Sequence, residues 1–313
     1  MSLTAIDLFV NEFGPERVGR EVPLAPFTTY RVGGPAECLV EVHDAAVLAR
    51  AAAVAAQTGL RGTILGGGSN VLVSDAGIRG LVIRVRGGST VLEGDSSVRA
   101  DAGVSLNSLV RWTIGRGLAG LEAWAGTPGT VGGAIFGNAH YGGRLIGERV
   151  ASVRLVGRSG AIEDVPAHEM EFAYDCSRLQ RTGEVLVSAL FALTPAADSG
   201  VLRATARRSL ADRKRTQPLH LPSAGCVFRN PDPAVDRVPD GIPASAGALV
   251  DRAGLKGFAI GGARVSPLHA NFIVNEGGAT ASDIRRLIDR CREEVRTRFG
   301  VTLREEIRYL GEW

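Results

Sequence analysis

No run of this chain is long and apolar enough to cross a bilayer. Its most apolar window, Ala45 to Ala56, is interrupted by Arg50 and falls short of the ~20 residues a spanning helix needs. The opening segment, Met1 to Val10, carries Asp7 and no basic cluster, so it does not read as a secretion signal. Cysteine is sparse and dispersed. Cys38, Cys176, Cys226 and Cys291 form no Cys-x-x-Cys, which excludes a disulfide framework and a cysteine-based zinc site. An excess of charge of one sign is also missing: 36 basic residues face 33 acidic ones. The resulting +3 is too small for a nucleic-acid footprint, although a local patch for an acidic small molecule remains open. Neither an internal repeat nor a low-complexity tract is present. These absences lead us to expect a reduced, cytoplasmic protein with no metal, no membrane and no nucleic-acid partner. At 313 residues, 45% hydrophobic and 22% charged, the chain has room for two or three ordinary globular domains.

Glycine, by contrast, is plentiful and clustered. Leu65-Gly66-Gly67-Gly68-Ser69-Asn70 lies between two short apolar runs, Thr63–Leu65 and Val71–Val73, that read as strands. Three glycines without Cβ atoms let a backbone turn tightly and converge its N–H groups, a nest that suits anions and diphosphate in particular. A strand rather than a helix follows, so this is not the dinucleotide G-x-G-x-x-G fingerprint, and no Gly-Lys-Ser/Thr closes a Walker loop. A plain glycine-rich hairpin turn fits the segment equally well. The second cluster, Ala125 to Asn138, holds five glycines and Pro128, a composition expected to prevent a stable helix or central strand. It looks made for close approach of backbone to something flat or charged.

Between these clusters the pattern alternates. Thr28 to Pro35 is a glycine turn, and Cys38 to Val42 and Leu81 to Val85 read as strands. Asp44 is placed to cap an alanine-rich helix ending near Gly59. Strands around Val91 and Val98 precede a helix from Ser105 to Arg116 whose Leu106, Leu109, Val110 and Ile114 share a face. A hairpin follows around Arg158-Ser159-Gly160, then a half-buried strand alternating through Val185, Val187, Ala189, Phe191 and Leu193. The composition change at Thr194–Gly200 marks a boundary, and a basic helix from Val201 to Lys214 follows it. A third block contains Pro222 to Pro231, a helix ending at Gly254 and a strand from Asn271 to Asn275. Its last helix opens with a capping box, Thr280-Ala281-Ser282-Asp283, and buries Ile284, Leu287, Ile288, Cys291, Val295 and Phe299. A final strand spans Leu303 to Leu310.

Eight of these segments, in order, closely resemble the UDP-N-acetylenolpyruvoylglucosamine reductase family, type II branch. They are Thr29 to Pro35, Leu65 to Asn70, Ala125 to Asn138, Thr216-Gln217-Pro218, Ser223 to Pro231, Gly254 to Gly257, His269 to Asn275 and Glu306 to Tyr309. The resemblance implies an α+β fold. It consists of a two-part FAD-binding region of the vanillyl-alcohol-oxidase (PCMH) type and a C-terminal α+β substrate-binding domain. Expected boundaries are 1–85, 86–200 and 201–303, with the C-terminal strand 304–313 returning to the first part. The implied reaction passes a hydride from NADPH through non-covalently held FAD to C3 of the enolpyruvyl ether, with a proton delivered to C2. The product is UDP-N-acetylmuramate, a peptidoglycan precursor.

The same resemblance assigns residues. FAD would be met by Tyr30, Arg31, Gly33, Gly66, Gly67, Gly68, Ser69 and Asn70, and along the second cluster by Gly126, Thr127, Pro128, Gly129, Gly132, Gly133, Ala134 and Asn138. Cys226 stands where the family has a proton-donating serine. An unperturbed thiol, with a pKa of about 8.5, is the stronger acid of the two, though most free cysteines are simply small buried residues. Glu306 matches the family's catalytic glutamate; without the motif it would read as a strand carboxylate beside Glu305. Lys214, Asn230 and His269 match substrate contacts, with Tyr174 and Arg229 as weaker candidates. The chain departs from the pattern twice. The family's Tyr-Arg-x-Ser reads Tyr174-Asp175-Cys176-Ser177, putting a carboxylate where an arginine belongs, and Arg178 is the expected substitute. The family's Asn-Ala-Gly-Ala-Tyr-Gly appears as Asn138-Ala139-His140-Tyr141-Gly142-Gly143, one residue shorter. Two rival functions remain: a flavin-dependent oxidase of the same fold, or a flavin- or nucleotide-binding protein without catalysis.

Overall fold

Short apolar runs punctuated by glycine turns build sheets rather than a helical bundle. The computed structural model describes residues 3–60 and 62–313 and divides the chain into two compact units. The first comprises Met1–Val22, Glu37–Gly67 and Arg79–Asp212; the second comprises Pro23–Ala36, Gly68–Ile78 and Arg213–Trp313. Residues 1–85 therefore contribute to both units, and the step at Asp212 falls inside the helix Ser199–Thr216.

In the first unit a four-stranded sheet runs in the order Val18–Pro23, Pro35–Val42, Ile78–Val85, Gly62–Leu65, the last two parallel. Asp44 caps the helix Ala45–Gln57 by accepting from the Val47 N–H at 2.8 Å. A five-stranded antiparallel sheet follows the order Ile162–Pro166, Val150–Val156, Val185–Ala192, Ser97–Asp101, Thr90–Glu93. Its central strand does not alternate as its sequence suggested. Leu186, Val187, Ser188 and Ala189 are all buried, because the helices Ala45–Gln57 and Val131–Phe136 both pack on it. The helix Leu106–Gly115 is capped by Ser105 and buries the expected stripe of Leu106, Leu109, Val110 and Ile114.

One expectation is corrected here. The second glycine cluster does form a helix, Val131–Phe136. Two internal glycines each cost a helix about 1 kcal/mol, but its start is firmly held. The Thr130 hydroxyl accepts from the Gly133 N–H, and the Val104 and Ala102 carbonyls take the N–H groups of Val131 and Gly132 at 2.8 Å each.

The second unit packs the helix Ala281–Phe299 on a three-stranded antiparallel sheet, Ala259–Ile260, Ala263–Val265, Ile273–Asn275. Ile284, Leu287, Ile288, Cys291 and Val295 are buried, and the Thr280–Asp283 capping box is formed. Asp75 adds to this cap, accepting from the Ala281 and Ser282 N–H groups at 2.8 and 2.9 Å. The expected final strand is shorter than its sequence suggested, Arg308–Leu310, and runs parallel to Val71–Val73.

These pairings decide the nature of the central glycine loop. Its flanking strands do not pair with each other: Gly62–Leu65 pairs with Ile78–Val85, and Val71–Val73 with Arg308–Leu310. It is therefore no hairpin turn. Within the first unit, a methyl group on Gly67 would lie 2.8 Å from the Cα of Gly129, and one on Gly66 would lie 2.6 Å from the Thr130 hydroxyl. The two glycine clusters are in backbone contact.

Two outcomes follow. Gly67→Ala is expected to destabilise the protein by about 1–3 kcal/mol through overpacking against backbone, while Gly115→Ala, on a helix with open space around it, is expected to be neutral or stabilising. Thermal denaturation of both variants checks the contrast, and an unshifted Gly67→Ala contradicts the contact. For Asp75, burial raises the carboxyl, but the bonds from Ser282 and the Ala281 and Ser282 amides outweigh it and hold it below its usual value. Its stabilisation is thus present above the ordinary aspartate pKa of about 3.9 and lost as pH falls through the lower folded value. Asp75→Asn should cost about 1 kcal/mol near neutrality, with the gap to wild type closing in acid denaturation curves.

Candidate active site

In the first unit, the segment after the second glycine cluster folds back on itself. Asn138, fully buried at φ 45°, donates from Nδ2 to the Ala173 carbonyl at 2.8 Å, and its Oδ1 accepts from the Gly147 N–H at 2.8 Å. Ser177 and Gln180 both donate to the Phe136 carbonyl, at 2.8 and 3.0 Å. These bonds tie the end of the helix Val131–Phe136 to a tight turn, Ala173 to Cys176, closed by reciprocal backbone bonds of 3.1 Å. Asp175 occupies the turn with φ 51°, a left-handed conformation that aspartate tolerates better than most residues. The turn presents Asp175 to His140: Oδ1 lies 3.2 Å from Nδ1, and the Tyr174 hydroxyl lies 3.3 Å from Nε2. The Tyr174 ring tilts against the imidazole at 4.6 Å between centroids. The neighbouring Tyr141 donates to the Ser209 carbonyl at 3.3 Å.

Arg178 does not reach this cluster as a spare cation. It is bound bidentately by Glu184, Nε to Oε2 at 2.9 Å and Nη2 to Oε1 at 2.6 Å, with Glu169 nearby. The pairing raises the Arg178 pKa and, against the opposing effect of burial, lowers that of Glu184. Its charge is compensated where it stands.

The second unit brings together two residues eighty positions apart. Asn271 grips the Cys226-Val227-Phe228 segment: its carbonyl takes the Val227 N–H at 2.8 Å, its Oδ1 the Phe228 N–H at 2.9 Å, and its Nδ2 donates to the Phe228 carbonyl at 2.8 Å. The Val227 carbonyl then accepts from the Glu306 N–H at 2.8 Å, and the Arg229 N–H donates to Arg304 at 2.8 Å. Val227 and Glu306 thus face each other across two paired segments, and Cys226 precedes Val227. Successive side chains on such a segment point to opposite sides. Glu305 turns to Arg292 at 2.9 Å, so Glu306 faces the other way. Asn70 supports the same segment, donating from Nδ2 to the Glu306 carbonyl at 3.3 Å and accepting from the Arg308 N–H at 3.0 Å.

The four thiols are not equivalent. Cys38 and Cys291 are core residues, and burial pushes Cys291 up to about 12. Cys226 is only partly buried, next to Gly225 at φ 80°. Tyr30 is wholly buried, its carbonyl accepting from Asn275 at 2.9 Å; burial, with Tyr309 and Cys226 nearby, raises its phenol. It supports the cysteine segment from within rather than presenting a surface.

The glycine loop keeps its amides available. Among the described residues, the N–H groups of Gly66, Gly67, Gly68 and Ser69 donate to no protein group. The Gly68 carbonyl instead accepts from the Thr29 N–H at 3.0 Å, and its Cα lies against the Phe27 carbonyl. Gly33 abuts Val73, leaving 2.7 Å for any added methyl. Arg31 is exposed, with Nη1 on the Pro26 carbonyl at 2.9 Å. Gly126 donates to Asn107 at 2.6 Å, Gly132 packs on Ala102 and Ala134 is buried, whereas Thr127, Pro128, Gly129 and Gly133 retain accessible surface.

Of the remaining candidates, Lys214 is exposed in the last turn of its helix and Arg229 is half-buried. Asn230 accepts from the Ala246 N–H at 3.1 Å, at the start of the helix Ala246–Arg252. Burial, then Lys256, lowers the His269 pKa from its ordinary value. Its Nδ1 accepts from the Asn271 N–H at 3.2 Å, leaving the proton on Nε2. Sequence reasoning missed two positions. Asn271 resembled an ordinary strand residue, and His140 was hidden in a shortened segment whose missing residue was its only signal.

Comparison with known proteins agrees across the chain. A model of the FAD binding domain matches residues 36–165, and a model of the UDP-N-acetylenolpyruvoylglucosamine reductase C-terminal domain matches residues 217–310. The chain is 42% identical over 298 residues to UDP-N-acetylenolpyruvoylglucosamine reductase 2 of Symbiobacterium thermophilum, covering 95% of this chain and 93% of that protein. It is 41% identical to the reductase of Synechococcus sp. strain JA-3-3Ab, covering 94% and 92%. The crystal structure of the Thermus caldophilus reductase superposes with a TM-score of 0.79 at 33% identity, covering 94% of this chain and 99% of that one. With relatives this similar along nearly its whole length, the chain belongs to the UDP-N-acetylenolpyruvoylglucosamine reductase family.

Proposed function

We propose that this protein reduces the enolpyruvyl ether of UDP-N-acetylenolpyruvoylglucosamine to UDP-N-acetylmuramate with NADPH, acting in the cytoplasm, and that Cys226 supplies the proton. The observation that supports this reading is the pairing of the Val227 carbonyl with the Glu306 N–H, which brings the segment carrying a partly exposed thiol against the segment carrying the carboxyl.

The residues present fit FAD. Unused loop amides at Gly66, Gly67, Gly68 and Ser69 suit its diphosphate. The accessible residues Thr127, Pro128, Gly129 and Gly133 offer a surface without bulky side chains for the rest of the cofactor. Ala134 and Asn138, on the same stretch of chain, are buried beneath it. When bound, FAD relays a hydride from NADPH to C3 of the enolpyruvyl group.

Hydride arrival at C3 drives charge into the neighbouring carboxylate. Glu306, as an acid or hydrogen-bond donor, shares that charge, which is worth most where the donor is already aimed. Cys226 gives its proton to C2, completing addition across the double bond, and the thiolate regains a proton from solvent. Lys214, a mobile point cation, suits the nucleotide diphosphate. His269 donates from Nε2 to a sugar or phosphate oxygen. Arg178 remains with Glu184, so the charge expected of it must come from another group.

Cys226→Ala is expected to accept hydride from NADPH at the wild-type rate yet to be reoxidised by the enolpyruvyl substrate about 10²–10⁴-fold more slowly, the usual loss for a missing general acid. Cys226→Ser should keep substantial activity. Stopped-flow absorbance of the flavin separates the two half-reactions, and fast reoxidation of the alanine variant would assign the proton to another donor.

A further inference from the structure

A loop whose N–H groups are reserved for a ligand cannot hold itself in place. In the second unit this applies to Gly68 and Ser69, whose amides donate to no protein group among the described residues. Their position has to be imposed by the chain that follows. Three residues of strand, Val71–Val73, leave the loop and end at Ser74 and Asp75.

The strand is held from both sides by short pieces of backbone. The Ser74 N–H donates to the Leu310 carbonyl at 2.9 Å, and the Ser74 carbonyl accepts from the Gly34 N–H at 2.8 Å. A parallel pairing three residues long is a small hold for amides that a binding site must keep within about 0.5 Å. Asp75 adds a larger one. Its Oδ1 accepts from the Ala281 N–H at 2.8 Å, and its Oδ2 accepts from the Ser282 N–H at 2.9 Å and the Ser282 hydroxyl at 2.6 Å. These groups open a helix of 19 residues, Ala281–Phe299, whose Ile284, Leu287, Ile288, Cys291 and Val295 lie in the core of this unit.

That helix has a cap of its own. Thr280 and Asp283 close a complete box on each other's N–H groups, at 3.1 and 3.0 Å. The amides of Ala281 and Ser282 stand at the exposed end of the helix, where water can satisfy them. A carboxylate from 206 residues away takes them instead. What those three bonds add is a fixed end for the strand that leaves the glycine loop.

We propose that Asp75 is a positioning residue of the cofactor loop: it pins the strand leaving Gly68 to Asn70 onto the helix Ala281–Phe299 and so keeps the loop amides placed for the diphosphate of FAD. This assignment rests on the reading of that loop as the diphosphate site.

The test is fluorimetric titration of the flavin-stripped full chain with FAD and with riboflavin, which lacks the diphosphate. Asp75→Ala should weaken FAD binding about fivefold or more, because the apparent dissociation constant rises as the loop spends less time in its binding position. Riboflavin binding should not change. Thr280→Ala is the control for stability alone: it removes the helix's own cap and should lower the melting temperature by a similar amount, yet keep FAD affinity within about twofold of wild type. Should Asp75→Ala not fold, the isosteric Asp75→Asn and Ser282→Ala, each of which loses part of the set of bonds, carry the same comparison. Unchanged FAD affinity in these variants, equal losses for FAD and riboflavin, or a matching loss in Thr280→Ala would reduce Asp75 to a structural cap and overturn the proposal. Wild-type protein that binds riboflavin as tightly as FAD would instead overturn the reading of the loop as the diphosphate site, a separate and visible result.

Discussion

The chemistry proposed for this protein depends on one short backbone pairing, in which the Glu306 N–H donates to the Val227 carbonyl and the Arg229 N–H to that of Arg304. It joins the segments of a cysteine and a glutamate separated by eighty residues. The pairing is not isolated. Asn271 spends its whole amide and its backbone carbonyl on the Val227–Phe228 segment, and Asn70 holds the Glu306 carbonyl from the other side. Polar side chains inside a protein cost stability when unsatisfied and give rigidity when every group is paired. Here they tie together the two segments that carry Cys226 and Glu306.

A second constraint governs the cofactor region. Gly67 approaches Gly129 so closely that it cannot carry a side chain, and Thr130 closes over Gly66 while capping the short helix behind it. Gly66 and Gly67 act through close packing, whereas Gly68 and Gly129 take positive φ, 61° and 104°. Among the described residues, the loop's amides at Gly66 to Ser69 find no protein acceptor, which is what an anionic ligand requires.

Much of this was legible in the sequence because local rules and tertiary structure agreed. Asp44, Ser105 and Thr280 cap helices as their positions indicated, and the last helix buries the stripe its 3.6-residue period marked. The short helix at Val131 was not legible, since propensity counts the glycines but not the Ala102 and Val104 carbonyls that hold its first turn. The strand at Val185 hid its burial for a similar reason: only the packed structure shows that two helices cover it. For the site, motif spacing proposed Cys226 and Glu306. It could not show that Arg178 was already claimed by Glu184, six residues away, or that Asn271 was a clamp. Both facts depend on where side chains point, which a linear pattern does not encode. His140 lay in a segment defined by a deletion, and a deletion names no residue.

The central claim is geometric and is tested most directly by geometry. A crystal structure of the flavin-loaded enzyme with the enolpyruvyl substrate bound should place the Cys226 sulfur about 3.5 Å or less from C2, the distance of a near-attack arrangement, on the face of the double bond opposite flavin N5. Glu306 should lie against the substrate carboxylate. A sulfur turned away into the protein, with a different proton donor nearer C2, would contradict the account.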